Sequence, residues 1–477
     1  MNIRTRRAAL ATITGGLLCL SAGLGGAASA AAAAGGIKGS PQPELRPFSL
    51  GASSGPGAVA LEPNGTIVVA YTIASGNGKT AVCVLSRGGH ACSSRAVLSP
   101  LSGDDVFGTS EVFVTSANHV VVLQGDCCDS SPLGGDLLFT STNGGKTFGA
   151  AVRVGTLGVG EAALVGGNIV FTSGDSGGGA LVESVPDDAS APPAETATAI
   201  TQAATDVGVG SYRDGALIAA DEDLPTSYTT RVAYAAAGKN FDASSSYVKV
   251  GTFANEQLVA ISGDALLTQK TNGNDALELR IFNGKSFGPA HVVPDTAGGG
   301  PEWFAIDTDP SGRVHVFNES THFPQLYDLY EESTSTGASW SVPVNLGNAT
   351  DSTEFAAGLD AHGSGLVLGV SPAIGYPVLA PQSVSFTLSK TSITKGQTVT
   401  GSGKGSAAAK GRAVELQELK SGLWYTIATT HESASGSFSF SIKGSAAGTY
   451  TYRAVASDLA GYVLYGYSAQ RSLRVTG

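Results

Sequence analysis

One short apolar segment recurs seven times along the chain, and this repeat constrains the fold more than any other feature. The copies are GAVAL at 57, EVFVT at 111, EAALV at 161, DVGVG at 206, EQLVA at 256, EWFAI at 302 and EFAAG at 354. Neighbouring copies lie 45 to 54 residues apart, and each is followed by a turn containing Gly or Asn and a second apolar run. Short apolar segments separated by turns predict β-strands, so each repeat indicates a small sheet.

Repeats of about fifty residues built from short strands are typical of β-propellers, whose blades are four-stranded sheets around a central channel. The 65 glycines among 477 residues and the charged fraction of 14% fit many tight turns. We therefore predict an all-β fold with a seven-bladed propeller at 45–383, or a six-bladed one if one repeat is misassigned. The segment RPFSLG at 46–51 resembles a fourth strand and is predicted to complete the seventh blade.

Two turns in the body resemble the Asp-box, or BNR repeat, of the sialidase-type propellers. The motif positions are Ser141, Asn143, Gly145, Thr147 and Phe148 in STNGGKTF, and Ser333, Gly337 and Trp340 in STSTGASW. FNGKSF at 282–287 and AAAGKNF at 235–241 are weaker copies. In the resembling families this box is structural, because its small polar residue bonds to the turn backbone while its aromatic residue packs into the blade.

Residues 384–477 show a different pattern, in which apolar and polar residues alternate between Gly/Ser turns, as in GSFSFSIKG and GTYTYRAVAS. This segment resembles the Ig-like β-sandwich modules of secreted bacterial proteins. It carries ten Lys/Arg and four Asp/Glu, a net charge of +6. Residues 31–477 together carry −14, so the body at 31–383 carries −20. The acidic body argues against nucleic acid or an anionic membrane as the main partner.

The N-terminus has the features of an export signal at 1–30, which a linker at 31–44 follows. Arg4, Arg6 and Arg7 precede the apolar run AALATITGGLLCLSAGLGG, and the small residues ASA at 28–30 fit a cleavage site. No second long apolar stretch follows. We therefore expect a secreted monomer, extracellular or associated with the cell wall, without a transmembrane segment in the mature chain.

Export places the four remaining cysteines in a compartment that permits disulfides, and they allow three pairings. Cys83 and Cys92 flank a hairpin symmetrically in CVLSRGGHAC, which favours a bridge across it. Cys127 and Cys128 are adjacent, between Asp126 and Asp129, in the loop after the second strand of the second repeat. This pair would either staple its loop or present a rigid surface to a ligand.

Six of the seven repeated segments begin with an acidic residue, namely Glu111, Glu161, Asp206, Glu256, Glu302 and Glu354. In aligned blades these acids would surround the channel mouth, where the second-to-third and fourth-to-first loops meet. Further candidates for ligand binding there are Asp126, Asp129, Asp221, Asp223, Trp303 and Glu319. Oxygen ligands suit Ca²⁺, but no metal is assigned. The alternative is architectural, with each carboxylate accepting N–H bonds from the neighbouring blade.

The sialidase resemblance raises an enzyme hypothesis, because that family hydrolyses glycosides. Its arginine triad has no clear counterpart here, since the Arg-Ile-Pro signature is absent and Arg213, Arg231, Arg280 and Arg313 fall on turns or outer strands. We therefore predict a secreted, non-catalytic recognition propeller that binds a glycan, polysaccharide or protein at the acidic channel mouth. The alternatives are an exo-glycosidase, sialidase-like or with another carboxylate pair, and a structural protein of the cell wall.

Overall fold

The structure is a computed structural model. The residues described are 47–74, 79–99, 110–125, 136–154, 161–175, 179–188, 196–224, 227–271, 276–293, 304–320, 328–341, 344–348, 355–360, 363–370, 372–379, 382–406, 410–420, 423–457 and 466–477. The predicted signal peptide and linker, at 1–44, lie outside these ranges. So does the adjacent pair Cys127 and Cys128.

The described residues are almost entirely β-strands, with one 3₁₀ turn at Ser244–Ser246 and no α-helix among them, which confirms the predicted all-β class. Strand β1 spans Phe48–Gly51. Unit 1 contains β2 (Ser53–Leu61), β3 (Ile67–Ile73), β4 (Thr80–Leu85) and β5 (Ser94–Leu98). Unit 2 contains β6 (Ser110–Ser116), β7 (His119–Gln124), β8 (Asp136–Ser141) and β9 (Val152–Val154). Unit 3 contains β10 (Glu161–Val165), β11 (Asn168–Asp175), β12 (Gly179–Pro186) and β13 (Ala197–Ile200).

The same arrangement continues along the chain. Unit 4 contains β14 (Val207–Tyr212), β15 (Gly215–Leu224), β16 (Ser227–Ala235) and β17 (Tyr247–Ala254), and unit 5 contains β18 (Glu256–Ser262), β19 (Ala265–Lys270), β20 (Leu277–Ile281) and β21 (His291–Val292). Unit 6 contains β22 (Phe304–Thr308), β23 (Val314–Ser320), β24 (Asp328–Thr334) and β25 (Val344–Asn348). Unit 7 contains β26 (Phe355–Leu359), β27 (Gly365–Gly369), β28 (Ala373–Val378) and β1.

Each unit is a four-stranded antiparallel sheet, and its strands pair in chain order except in unit 7. One parallel bridge between Thr229 and Glu256 joins units 4 and 5 into a single eight-stranded sheet. All seven predicted first strands overlap the observed first strands of the units. The repeat therefore placed these strands correctly.

The first strands of successive units contact each other in chain order, and β26 of unit 7 contacts β2 of unit 1. The contacts thus form a closed ring. Strand β1 completes unit 7 by pairing with β28, with Phe48 opposite Gly375. The predicted pairing of the N-terminal strand with the last repeat is confirmed. A strand from the start of this region thereby closes the last unit of the ring.

The apolar core of the ring lies between the units. Among the described residues of the ring, seven buried clusters occur, and each takes its side chains from two neighbouring units. Between units 7 and 1, for example, Leu50 and Leu368 pack with Tyr71 and Leu85. Second strands are covered on both faces, which explains why β3 reads IVVAYTI with six of its seven residues buried. The continuous apolar runs in the sequence follow from this two-sided burial.

The C-terminal module consists of two packed sheets. The first has the order β29 (Val384–Leu388), β31 (Thr398–Gly405), β34 (Ser437–Lys443). The second has the order β30 (Ser392–Thr394), β37 (Arg471–Thr476), β35 (Gly448–Ala456), β32 (Ala413–Lys420), β33 (Leu423–His431), and β36 (Gly466–Tyr467) also pairs with β35. Phe386, Phe440, Leu416 and Leu473 fill the core between the sheets. Strand β34 alternates between buried and exposed residues, as expected for a strand with one covered face.

The predicted bridge between Cys83 and Cys92 is confirmed, with Cα atoms 5.3 Å apart. Cys83 lies in β4, and Cys92 lies just before β5. The bridge therefore closes the connection between the third and fourth strands of unit 1. In unit 2 the corresponding connection is the 141–148 turn, which side-chain hydrogen bonds close instead.

Breaking this bridge should destabilise the ring measurably. We expect Cys92→Ser to lower the free energy of unfolding by about 2–3 kcal/mol, because it frees a short loop in the unfolded chain. Urea unfolding of the wild type and the variant, without reductant, gives the difference. The wild type in reductant is the control and should approach the variant. Equal stabilities without reductant would show that the bridge contributes nothing.

Candidate functional site

Four of the six predicted ring acids fall within the described residues. Glu111, Glu161 and Glu256 stand at or next to the start of a first strand, and Asp206 directly precedes β14. Since these strands form the inner ring, the four acids lie toward the same end of it. The remaining two, Glu302 and Glu354, lie outside the described residues, as do Asp126, Asp129 and Trp303. Of Asp223 and Glu319 only the backbone is described, in β15 and β23.

Asp221 does not face a ligand space, contrary to its prediction as a ligand-binding residue. Its side chain is fully buried. The carboxylate oxygens accept hydrogen bonds from the backbone N–H of Leu258 at 2.7 and 2.8 Å and from the hydroxyl of Thr230 at 2.8 Å. Leu258 belongs to the next unit. Asp221 therefore ties unit 4 to unit 5, which is the architectural role that the sequence left as an alternative.

Glu256 is also engaged within the fold. Arg280 forms a bidentate salt bridge with Glu256, in which Nη1 lies 2.6 Å from Oε2 and Nη2 lies 2.9 Å from Oε1. Thr268 donates its hydroxyl to Oε2 at 2.7 Å, and Arg280 Nη2 also lies 3.2 Å from Glu278 Oε2. Lys270 pairs with Glu278. The guanidinium further lies over the ring of Phe253, 4.5 Å from its centre. Because Glu256, Glu278 and Arg280 are buried, this ion-pair cluster is structural rather than a ligand surface.

Glu111 and Glu161 are half-buried, whereas Asp206 is exposed. Glu161 lies close to β14 of the next unit, because a Cβ built on Gly208 would lie 3.1 Å from its Oε2 and 2.8 Å from Ile261 Cγ2. Glycine at 208 thus permits the close approach of neighbouring first strands. Among the described ring acids, Asp206 is the one with an exposed side chain.

The 141–148 turn has the geometry that its sequence predicts. The Ser141 hydroxyl accepts the N–H of Gly145 at 3.0 Å, and Asn143 Oδ1 accepts the N–H of Thr147 at 3.0 Å. The amide of Asn143 donates to the Thr147 hydroxyl at 2.7 Å. Phe148 packs against the cluster between units 1 and 2. The turn therefore reinforces a junction between units.

The 333–340 turn differs from its prediction by one residue. Thr334, and not Ser333, accepts the N–H of Gly337, at 2.9 Å from its hydroxyl. The Ser333 hydroxyl instead accepts a hydrogen bond from Arg313 Nε at 3.0 Å. Spacing alone could not distinguish the two adjacent hydroxyls. Trp340 packs against the cluster between units 5 and 6, as Phe148 does at its own junction.

The sequence interpretation missed a buried histidine between two carboxylates. His315 of β23 has its Nδ1 at 2.9 Å from Glu331 Oε1 and its Nε2 at 3.3 Å from Asp309 Oδ2. Asp309 also accepts the N–H groups of Ser311 and Arg313 within the turn. Burial lowers the pKa of His315, but the hydrogen bonds to Asp309 and Glu331 outweigh it and raise the pKa above 6.5. The sequence feature that could have indicated this cluster is the DPSGR turn at 309–313, because its Asp309 is one of the two carboxylates and His315 follows it closely.

Asp307 of β22 lies near this histidine, and burial raises its pKa to about 7. The positive charge of His315 and the backbone N–H groups of Leu359 and Thr308 act in the opposite direction. Burial would also raise the pKa of Asp309, but hydrogen bonds from His315 and Ser311 hold it below 3.8. Leu359 belongs to unit 7, so Asp307 is a further contact between neighbouring units.

A shallow cleft between units 7 and 1 is too small for a ligand. Its enclosed space is about 20 Å³, which fits roughly one water molecule. Arg87 Nη2 lies 2.7 Å from Asp360 Oδ2 across it, and the ring of His90 stacks on Phe48. The described ranges contain no group of three or more His, Cys, Asp or Glu residues placed to hold a metal ion. A membrane-spanning helix is absent from the part of the chain that the structure describes.

No protein-family model and no curated protein matches the chain. Among solved structures, it is similar to a chain from a structural and mechanistic analysis of two prolyl endopeptidases, with 10% identity and a TM-score of 0.39. The match covers 75% of this chain and 54% of that one, so the chain spans about half of that protein.

Two adhesion proteins are also similar. One structure is the tetra-tandem repeat in the extending region of a large adhesion protein, with 15% identity and a TM-score of 0.17, covering 90% of this chain and 93% of that one. The other comes from a bacterial ice-binding adhesin, with 14% identity and a TM-score of 0.16, covering 58% of this chain and 99% of that one.

Removing the charge of Arg280 should be strongly destabilising. We expect Arg280→Met to lower the free energy of unfolding by about 3–5 kcal/mol, because Glu256 is left as a buried charge without its main partner. Urea unfolding measures the loss. Lys420→Met is the control, since Lys420 pairs with Glu418 at an exposed position and should cost less than about 1 kcal/mol. Similar small losses in both variants would refute the structural role of the cluster.

The buried groups around His315 should make stability fall as pH rises. His315 stabilises fully below pH 6.5, and this contribution is lost as pH rises through its higher folded pKa. The raised pKa of Asp307 costs stability as pH rises from 3.8 to about 7. Between pH 5 and 7 the wild type should lose roughly 1 kcal/mol per pH unit more than Asp307→Asn. Urea unfolding across pH 5–8 tests this, and parallel profiles would contradict it.

Proposed function

We propose that residues 45–383 form a seven-bladed β-propeller and that residues 384–477 form an Ig-like β-sandwich. In this proposal the exported protein recognises an extracellular glycan, polysaccharide or protein and catalyses no reaction. The closed ring of seven four-stranded units supports the propeller. The two packed sheets of the C-terminal module support the sandwich. The resemblance of the 141–148 turn to the Asp-box agrees with this assignment.

One observation carries the function, namely the placement of acidic residues toward one end of the inner ring. Glu111, Glu161 and Asp206 stand there at the starts of successive first strands, half-buried or exposed. The body around them carries a net charge of −20 over residues 31–383. A negative entrance attracts cationic groups, tolerates neutral ones and repels anions. The ligand at this face is therefore a neutral or cationic polysaccharide, glycan or protein.

The engagement of other acids favours recognition over hydrolysis. Most glycoside hydrolases use two carboxyl groups directed at the substrate. Asp221 and Glu256, which the sequence placed at the channel mouth, are instead bonded to Leu258 and Arg280. Both carboxylates are buried and hydrogen-bonded within the fold, so they are not available to bind a sugar. The exposed side chain of Asp206 supports binding at the same face.

Two aspartates at opposite ends of β14 give a matched test of this proposal. Asp206 precedes the strand at the acidic end, and Asp214 lies in the turn after it, with a φ of 61° that asparagine tolerates. We expect Asp206→Asn to weaken binding of a chitosan oligosaccharide roughly two- to fivefold, with a smaller effect at high salt. Asp214→Asn should leave the affinity unchanged. Titration calorimetry with calcium and with chelator measures both variants.

Neutral mannan is the second probe, and its affinity should be insensitive to salt. Saturable binding of neither polymer would contradict polysaccharide recognition at this face. Equal weakening by the two aspartate variants would contradict the location of the site. Release of reducing sugar from either polymer would contradict a non-catalytic function and support a glycoside hydrolase.

A further inference from the structure

Four exposed cationic side chains lie at one end of the C-terminal module. The chain enters the module at the opposite end of the first sheet, where Val384 pairs with Gly405. Strand β31 runs from there to the second end, where Thr398 pairs with Lys443. We call this second end the distal end. Its exposed cationic residues are Lys390, Lys395, Lys443 and Arg474.

Backbone hydrogen bonds hold the segments that carry these cations side by side. The N–H of Arg474 donates to the carbonyl of the residue after Lys390, at 2.9 Å. The N–H of the residue after Lys395 donates to the carbonyl of the residue after Lys443, at 2.7 Å. The four cations therefore come from four segments of the chain that meet at the distal end.

The charges at the distal end are not used within the fold. None of the four side chains forms a hydrogen bond or an ion pair with another described residue. Other cations of the module are paired, since Arg412 is buried against Glu432 and Lys420 pairs with Glu418. The module as a whole carries +6 over residues 384–477. The distal end thus offers four free positive charges to a partner.

The acidic body is joined to the module at the opposite end. From Gly405 to Thr398, β31 covers seven residue steps, which is about 23 Å. At physiological salt the field of an exposed charge is screened over about 8 Å. Acids near the junction are therefore screened from the distal end, which keeps its own attraction for anions.

The cations surround the distal end instead of lying on one face of the module. Lys443 points outward from the first sheet and Arg474 from the second, because each alternates with buried residues in its strand. Lys390 and Lys395 lie in the connections before and after β30. Side chains that leave opposite faces are matched better by a flexible polymer, which can follow the surface around the end, than by a flat membrane.

The chemistry of the distal end favours phosphate groups. Lysine binds phosphate as a point charge, whereas a carboxylate is matched best by an arginine fork. Exposed hydroxyl groups stand beside the cations, since Thr398 is opposite Lys443, and Ser392 and Thr449 are opposite Arg474. Hydroxyl groups of Ser and Thr commonly donate to phosphate oxygens. Charge and hydroxyl groups together suit a chain of phosphates.

We propose that the distal end of the C-terminal module binds a flexible phosphodiester polymer. Successive phosphates of the polymer pair with Lys390, Lys395, Lys443 and Arg474, and the neighbouring hydroxyl groups donate to their oxygens. This site is separate from the acidic face of the ring of seven units and selects a ligand of opposite charge.

The test uses residues 31–477 and poly(glycerol phosphate), a phosphodiester polymer without bases. Titration calorimetry at about 0.1 M salt should show saturable binding that weakens as salt rises, because counterions are released on binding. The double variant Lys395→Gln/Lys443→Gln should bind roughly fivefold more weakly. The slope of log affinity against log salt should shrink by about 1 for each lysine that contacts a phosphate.

The double variant Lys404→Gln/Lys410→Gln is the matched control, because it also removes two exposed lysines. Lys404 lies in β31 about 20 Å from the level of Lys443. Lys410 lies two residues before Arg412, which bonds to Gln382 where the chain enters the module. These positions are about two screening lengths from the distal end, so the affinity should change less than about twofold. Both double variants should bind chitosan as the wild type does.

Thermal unfolding shows whether both double variants are folded, and Arg474→Gln replaces the distal pair if that variant is not. Three results would overturn the proposal. Absence of saturable binding of poly(glycerol phosphate) would remove the site. Equal losses in the two double variants would show that only the overall charge of the module attracts the polymer. Tighter binding of phosphatidylglycerol vesicles than of the polymer, at equal phosphate concentration, would assign the distal end to a membrane surface instead.

Discussion

Burial between neighbouring units holds the ring together, because none of the seven units encloses a core of its own in the part of the chain that the structure describes. Each apolar cluster of the ring is shared by two units, so removing one unit would expose the faces of two others. Closure therefore matters for every unit. It depends on the pairing of β1, the first strand of the ring region, with β28, the last strand of that region in the chain. An open seventh unit would leave a strand edge and a half-covered apolar face.

Polar contacts, like the apolar clusters, also join neighbouring units. Asp221 bonds to the backbone of Leu258 in the next unit, and Gln124 donates to the hydroxyl of Thr80 in the preceding unit at 2.9 Å. Buried polar atoms must be paired, so a fold with seven junctions places suitable side chains at several of them. Two of the predicted acids, Asp221 and Glu256, therefore have an architectural role in the fold. Glu161 is half-buried, and Glu256 is buried and paired with Arg280.

The two parts of the chain present surfaces of opposite character. The ring region gathers acids toward one end, whereas the C-terminal module gathers Lys390, Lys395, Lys443 and Arg474 at its distal end. The acids were visible in the sequence because the repeat aligned them. The four cations were not, since they come from four segments that have no common spacing. Their grouping became apparent only from the pairing of the strands.

The sequence by itself determined the all-β class, the positions of the seven first strands, the pairing of the N-terminal strand and the bridge between Cys83 and Cys92. These features depend on local patterns or on a repeat that local turns keep in register. Only the tertiary structure decided which polar residues are buried at junctions. It placed Asp221 and the His315 cluster inside, and it chose Thr334 over Ser333 in the turn. Burial and hydrogen-bond partners are set by the neighbouring unit, which lies about fifty residues away in the chain.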